Sequence, residues 1–241
     1  METNIYQKKY NALDFFLKEL FNKEVSNRIA KIILFGSLLK GEIKETSDID
    51  LIVVTTDSIE EISQACAEAS FATAMATGES IESIIRCIDQ IRYPQSYFIY
   101  SVLKIGKEVY TMDETELKKK EIENYFNLSY EYLEGAKANF ERGYWRITID
   151  IAYNACELII KALLLLKLPE IPGSHGGIVQ KFGELYVKTE EVPKELGREI
   201  SLALEKRNNA RYEPHAQIKK EDAEKIILLG ERLQNILKEK I

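Results

Sequence analysis

Two acidic residues and a glycine–serine pair adjoin two short apolar runs of this sequence. The runs Ile32–Phe35 and Leu51–Val54 have the β-branched composition of buried strands. Gly36-Ser37 follows the first run, and Asp48 and Asp50 lead into the second. Residues two apart on a strand share a face, so both carboxylates should point the same way. Such a pair suits Mg²⁺, which prefers oxygen ligands and substrate phosphates.

The glycine–serine pair predicts a phosphate-binding turn next to the carboxylates. Glycine allows backbone N–H groups to approach a phosphate closely, and Ser37 can add a hydroxyl at the start of the next helix. A phosphate-binding turn and metal-binding carboxylates on neighbouring strands are the parts that nucleotide transfer needs. Either pair alone is uninformative, because a strand–turn–strand with a merely solvated acidic end contains the same residues. The combination of the two pairs predicts a site that binds a nucleotide and a metal ion.

This combination resembles the nucleotidyltransferase superfamily of DNA polymerase β, in its minimal form (MNT). The pattern of that family is an apolar residue, Gly-Ser, a spacer, and Asp-x-Asp followed by apolar residues. Phe35-Gly36-Ser37 and Ser47-Asp48-Ile49-Asp50-Leu51 match it without a gap. The resemblance implies Mg²⁺-dependent nucleotidyl transfer from a nucleoside triphosphate, with ATP expected as the substrate. Asp48 and Asp50 would hold the metal, and Gly36 and Ser37 would bind the triphosphate.

A third carboxylate is expected on the next strand. Members of the superfamily often carry an acidic residue there, and Glu82 matches it within the strand predicted over 80–86. Glu82 would serve as the general base for the attacking hydroxyl or would complete a metal site. The alternative is an exposed strand glutamate without a chemical role.

The elements that must position these residues form an α+β region over residues 1–112. Hydrophobic periodicity predicts helices and strands in the following order: helix 4–24, strand 29–35, strand 48–54, helix 58–76, strand 80–86, a break at Arg92-Tyr93-Pro94, helix 95–105 and strand 108–110. Ser58 and Glu61 have capping-box spacing, and Gly78 is expected to end that helix. The aromatic residues Tyr97, Phe98 and Tyr100 are expected in the core, with contact to a nucleotide base as the alternative.

Residues 113–241 have a different character and form a second predicted domain, an all-α bundle. Amphipathic patterns predict helices over 114–141, 145–167, 174–188, 193–211 and 220–240. The fold class is therefore α+β, with a small mixed-sheet domain followed by a helical bundle.

Three segments of the helical half carry a second resemblance. Gly143-Tyr144-Trp145 leads into the apolar run 151–163, His175 lies in a glycine-rich turn, and the run 207–212 reads Arg-Asn-Asn-Ala-Arg-Tyr. Together they look like the HEPN domain, a helical module often fused to, or encoded beside, an MNT domain. The resemblance implies a fused MNT–HEPN protein, with a homodimer formed through the HEPN helices.

The HEPN segment departs from the ribonuclease pattern of its family. Many HEPN domains are metal-independent ribonucleases with an Arg-x(4–6)-His motif, but Tyr212 stands where the spacing from Arg207 calls for histidine. A phenol, with an ordinary pKa of about 10, is a poor base at neutral pH, so RNA cleavage is not expected. Arg207 and Arg211 share a helix face, where they could bind phosphate or cap a helix end. In related toxin–antitoxin pairs the MNT partner adenylylates a tyrosine of the HEPN partner, which makes Tyr212 the expected acceptor.

Other functions remain open from the sequence. Antibiotic nucleotidyltransferases also place helices after the catalytic domain and take a general base from them, and Glu157 could do this for an aminoglycoside hydroxyl. The simpler interpretation is an ion pair between Glu157 and Lys161, four residues apart on a helix. A non-catalytic nucleotide-binding module and a HEPN ribonuclease are the further alternatives.

Composition limits the partners. The 241 residues carry a net charge of −6, which disfavours extensive nucleic-acid binding. No apolar run reaches the roughly 18 residues of a membrane span, and no signal-peptide core is visible, so we expect a cytoplasmic protein. The three cysteines lack metal-ligand spacing and are expected to be reduced core residues.

Overall fold

A computed structural model describes residues 2–92 and 94–241 of the chain. The chain divides into two compact units, Met1–Leu117 and Lys118–Ile241. The division falls inside the first turns of the helix that begins at Glu114. The domain boundary predicted from the sequence at 112/113 stays a prediction.

The first unit is built on a four-stranded mixed sheet. Its strands are β1 (Ile29–Phe35), β2 (Ile49–Thr55), β3 (Ile81–Cys87) and β4 (Lys107–Thr111). The strand order is β3-β2-β1-β4; β1 runs antiparallel to β2 and to β4, and β2 runs parallel to β3. All four strands were predicted, and none of their ends differs by more than one residue from the predicted position.

Helices cover both faces of this sheet. They are α1 (Glu2–Phe21), a 3₁₀ turn (Glu24–Arg28), α2 (Ser37–Lys40), α3 (Ile59–Thr77), α4 (Ile88–Arg92) and α5 (Tyr97–Ile105). Leu51 and Val53 of β2 pack in the core formed with α1 and α3, whereas Ile52 and Val54 pack in the core formed with α5. Because both faces are buried, β2 has a continuous apolar sequence instead of an alternating one.

Some local predictions in this unit were wrong. Ser58 precedes α3, but its hydroxyl bonds the side chain of Glu60 and makes no capping bond to the backbone, so the capping box does not form. Gly78 does end α3, with a positive φ of 72°. Helix α4 was not predicted, and Tyr93, in the predicted break, lies outside the described residues.

The aromatic residues of α5 are also not where they were expected. Tyr97, Phe98 and Tyr100 are exposed, Tyr97 to 84%. Ile99 and Val102 take the buried face of this short helix, and a helix cannot bury the intervening positions as well. Phe98 makes an edge-on contact with Phe35 of β1, at 5.6 Å between ring centres.

The second unit is helical throughout its regular elements. They are α6 (Glu114–Glu141), α7 (Trp145–Leu165), α8 (His175–Phe182), a π-helical turn (Gly183–Val187), α9 (Lys194–Tyr212) and α10 (Lys220–Lys238). Helix α7 lies at the centre, with most of its residues buried against α8, α9 and α10. The helix predicted over 174–188 thus has a π-helical second half.

Two further observations concern the described residues as a whole. Within residues 2–92 and 94–241, no helix combines the length and the apolar character that crossing a bilayer requires. Cys66, Cys87 and Cys156 are free thiols; Cys66 and Cys156 are buried as predicted, whereas Cys87 is only half-buried.

Candidate active site

Three of the predicted residues, Asp48, Asp50 and Glu82, lie at one end of the sheet in the first unit. In the strand register Asp50 of β2 lies level with Phe35 of β1 on one side and with Glu82 of β3 on the other. Paired residues of neighbouring strands project to the same face, so the side chains of Asp50 and Glu82 lie side by side. Asp48 directly precedes β2 and is exposed, like Glu82, whereas Asp50 is half-buried.

The three carboxylates interact electrostatically. Burial raises the pKa of the Asp50 carboxyl above its ordinary value, and the negative charges of Glu82 and Asp48 raise it further. Each of these effects disfavours the charged form of Asp50, since removing a carboxylate from water and placing it near like charges both cost free energy. A cation at this position would offset both costs.

Gly36 is packed directly against Asp50. Its φ is +80° and its ψ −152°, a combination that is essentially restricted to glycine. A Cβ atom added to Gly36 would lie 1.9 Å from Oδ2 of Asp50, which is far inside any van der Waals contact. The turn after β1 therefore needs glycine twice, once for its backbone conformation and once for the space that the Asp50 carboxylate occupies.

Ser37 opens the short helix α2 directly after this turn and is half-buried. It thus lies one residue from the glycine that touches Asp50. The structure brings together Gly36, Ser37, Asp50 and Glu82, and it places Asp48 close enough to affect the charge of Asp50.

The donor set suits a hard cation shared with a substrate. Within the described parts of the chain, no three His, Cys, Asp or Glu side chains form a ready-made metal site. Mg²⁺ usually takes only one or two protein carboxylates and completes its shell with water and substrate phosphates. Carboxylates that repel one another at a partly exposed strand end are consistent with that kind of site.

A cavity of about 510 Å³ opens farther along the same face of the sheet. It is lined by Arg86, Asp89, Gln90, Gln95, Ser96 and Ile99. Arg86 lies on β3, four residues beyond Glu82, so it is on the same face and about 13 Å away along the strand. The cavity offers both charged and amide groups next to an apolar wall.

Comparison with known proteins agrees with this geometry. Residues 17–115 match the family described as Polymerase beta, Nucleotidyltransferase, and residues 122–240 match the HEPN domain family. A protein of Methanocaldococcus jannaschii named "Putative toxin MJ0142" is 31% identical over 113 residues, which cover 46% of this chain and 76% of that protein.

The chain belongs to the polymerase β nucleotidyltransferases, with a HEPN domain fused behind the catalytic domain. The predicted α+β class and the predicted order of the two domains are confirmed, and the protein is a nucleotidyltransferase. Among solved structures, a spectinomycin adenyltransferase from Enterococcus faecialis, crystallised with ATP and spectinomycin, is 16% identical. The match covers 95% of this chain and 99% of that one, with a TM-score of 0.31.

The residues predicted for the HEPN domain form a separate polar cluster in the second unit. Arg207 of α9 is only 3% exposed, and its Nε lies 3.2 Å from Oδ1 of Asp150 on α7. Arg211, one turn later, approaches the same oxygen at 3.6 Å. Arg207 is therefore a buried, paired cation and not a solvated residue at a helix end. Asp150 was missed, although a charged residue within the largely apolar helix α7 was a usable signal.

Tyr212 lies at the end of α9 beside both arginines. Its side chain is exposed to 66%, and the guanidinium carbons of Arg207 and Arg211 lie 5.9 and 5.8 Å from the centre of its ring. These are cation–π distances. The accessible phenol is thus available to a reaction partner, and the half-exposed guanidinium of Arg211 beside it has donors that suit a phosphate.

The turn that carries Tyr212 is held by an arginine that sequence reasoning missed. The guanidinium of Arg146, in the first turn of α7, donates to the backbone carbonyls of Ala210, Glu213 and Ala216 at 2.6, 3.1 and 2.9 Å. Ala210 lies in the last turn of α9, where carbonyls lack helical partners, and Glu213 and Ala216 follow the end of the helix. Arg146 therefore fixes the chain on both sides of Tyr212.

Farther along α7, Glu157 is buried and bonded to His175 at the start of α8. Lys161 lies 3.4 Å from the other carboxylate oxygen, as the spacing of the ion pair predicted. The hydroxyl of Tyr153 is buried near Glu157 without an aligned hydrogen-bond partner among the described residues, and burial raises its pKa. Since Glu157 is committed to these contacts, the structure favours its structural interpretation.

Proposed function

We propose that this nucleotidyltransferase transfers AMP from ATP, with Mg²⁺, to a hydroxyl group, and that the acceptor is Tyr212 of a HEPN domain, in the same chain or in a second copy. The observation that carries the catalytic half of the proposal is the packing of Gly36 against Asp50, level with Glu82. Nucleotidyl transfer is the established class of reaction for the family; the nucleotide, the metal and the acceptor are the proposal.

Each residue then has a role that its position permits. Asp48, Asp50 and Glu82 would hold Mg²⁺, which supplies neutralising charge for the triphosphate when it is bound. The backbone at Gly36, open because it lacks a Cβ, and the hydroxyl of Ser37 would contact the phosphates. Phosphoryl chemistry depends mostly on positioning and charge neutralisation, and these residues supply both.

In the proposed reaction the phenolic oxygen of Tyr212 attacks the α-phosphorus of ATP. The bond from that phosphorus to the oxygen bridging to the β-phosphate breaks, and pyrophosphate leaves. Glu82 accepts the phenolic proton or, if it is engaged as a metal ligand, the proton passes to water. The product is a phosphodiester between AMP and the tyrosine, whose negative charge the neighbouring, half-exposed Arg211 would stabilise.

Intact-mass spectrometry after incubation with ATP and MgCl₂ tests the proposal. We expect the chain to gain AMP units, and we expect no gain in Asp50→Asn or in Tyr212→Phe. Tyr130→Phe is the matched control, because Tyr130 is also an exposed tyrosine of the HEPN domain. A wild-type chain that gains no AMP, or a Tyr212→Phe chain that gains as much as wild type, refutes the tyrosine as acceptor.

The same preparation separates the alternatives. Turnover of ATP on an added aminoglycoside, without a mass gain of the protein, would identify a small-molecule nucleotidyltransferase. Cleavage of single-stranded RNA in EDTA would identify a HEPN ribonuclease, since that chemistry needs no metal. A homodimer and a cytoplasmic location belong to the proposal, and sedimentation analysis and cell fractionation test them.

A further inference from the structure

Lys9 is a buried charged residue on the inner face of α1. Only 2% of it is exposed, and it lies on the apolar stripe of the helix between Tyr6 and Leu13. A lysine ammonium loses much of its hydration free energy on burial, so such residues persist only where oxygen atoms replace the water. Three oxygen partners surround Lys9.

The partners of Lys9 account for its three N–H groups. Its Nζ donates to the backbone carbonyl of Ser47 at 2.5 Å and to that of Glu45 at 3.2 Å. It also forms an ion pair with the carboxylate of Glu79, which is itself only 4% exposed. An ammonium group has three donors, and here each has an acceptor.

These partners lie directly before the residues of the acidic site. Ser47 is the neighbour of Asp48, and Glu79 is three residues before Glu82. The two segments are also joined to each other, because the N–H of Ile49 donates to the carbonyl of Ser80 at 2.9 Å. Lys9 thus connects one helix to both stretches of chain from which the carboxylates project.

The neighbouring Lys8 helps to decide whether Lys9 only neutralises Glu79 or also positions the backbone before Asp48. Its Nζ pairs with the other oxygen of Glu79 at 2.7 Å, but its side chain is 59% exposed. Burial alone would raise the pKa of Glu79, yet the hydrogen bonds from Lys8 and Lys9 lower it overall. Either lysine could neutralise Glu79. Of the two, Lys9 is the one that also donates to the backbone carbonyls before Asp48.

We infer that Lys9 is a positioning residue for the acidic site, setting the backbone of Asp48 relative to Glu82 without touching the substrate. The expected effect on cation binding rests on the proposed function. The expected effect on the backbone rests only on the hydrogen bonds of Lys9. The segment 45–49 should therefore lose its fixed conformation when the ammonium is removed, even if the charge of Glu79 is removed with it.

Three variants test this inference. Lys9→Met removes the ammonium but leaves Glu79 buried without its main partner, so it should also melt at a lower temperature. Lys9→Met/Glu79→Gln removes both charges and should recover most of that loss. Lys8→Met is the control, since it weakens the same carboxylate pair and leaves the carbonyl contacts of Lys9 in place.

Two measurements show whether Lys9 positions the acidic site or only stabilises the fold. Mn²⁺ binding to the full chain, followed by electron paramagnetic resonance, should weaken about tenfold or more in the double variant, the range found when partners behind metal ligands are lost. Hydrogen exchange at the amides of Asp48 and Ile49 should accelerate in it as well. Lys8→Met should match wild type in both measurements.

The inference is overturned if the double variant binds Mn²⁺ as tightly as wild type and exchanges these amides at the wild-type rate. A failure of the proposed function looks different, because wild type would then bind no Mn²⁺, or Asp48→Ala would bind it equally well. In that case the exchange rates alone decide, and unchanged exchange in the double variant refutes the positioning role.

Discussion

Replacing Gly36 by alanine would place one methyl group against the carboxylate on which the proposed mechanism depends. The new Cβ would start 1.9 Å from Oδ2 of Asp50 and 2.8 Å from its Cγ, whereas ordinary contacts begin at 3.4 Å. Either the turn or the carboxylate must therefore move by about 1.5 Å, and rotation of the carboxylate alone is not enough, because the Cβ of Asp50 would also lie only 3.2 Å away.

The expected magnitudes follow from that displacement and from the backbone. A non-glycine residue at this φ and ψ costs on the order of 1–3 kcal/mol of folding free energy. A shift of about 1 Å in a catalytic group can lower a rate by about 100-fold, so we expect at least that loss in nucleotidyl transfer. The loss of activity should thus greatly exceed the fraction of protein that unfolds.

Initial rates of transfer and thermal melting, measured on the same samples, check this prediction. Gly143→Ala is the matched control, since Gly143 has a φ of +78° but nothing within 4 Å of its added Cβ. It should pay the backbone cost and keep the transfer rate. A Gly36→Ala protein that is as active as Gly143→Ala would show that the contact with Asp50 has no role in the reaction.

Three further predictions concern charge and burial. Asp50→Asn should abolish transfer yet leave the melting temperature unchanged or higher. Burial and the neighbouring carboxylates raise the pKa of Asp50 and so oppose its charged form in the folded protein. A large drop in melting temperature would contradict this prediction. In urea unfolding, Arg207→Ala should cost about 2 kcal/mol through the loss of a buried ion pair, whereas the exposed Arg211→Ala should cost less than about 1 kcal/mol; equal costs would be contrary to the structure. With a thiol reagent at pH 8, half-buried Cys87 should react first, and Cys66, whose pKa burial raises to about 11, should react only on unfolding; loss of the fast phase in Cys87→Ser checks the assignment.

Local sequence was sufficient for the four strands, for the longer helices and for the family. The apolar run of β2 has a strand pattern because both of its faces are covered, and Gly36-Ser37 with Asp48 and Asp50 have the spacing of the family motif. These signals lie within about 20 residues of one another, so no long-range contact is needed to detect them. The exposed aromatics of α5 show where such reasoning fails, because a nine-residue helix has no pattern strong enough to say which side meets the sheet.

Contacts between distant segments were decided only by the tertiary structure. Lys9 and Ser47 are 38 residues apart and Arg146 and Ala210 are 64 apart, and nothing near either cation in the sequence names its acceptor. A buried cation is stable only if the fold brings oxygen atoms to it, and that condition belongs to packing and not to any local pattern. The sequence by itself determined which residues could do the chemistry; the packing of α1 on the sheet, and of α7 on α9, determined which residues hold them in place.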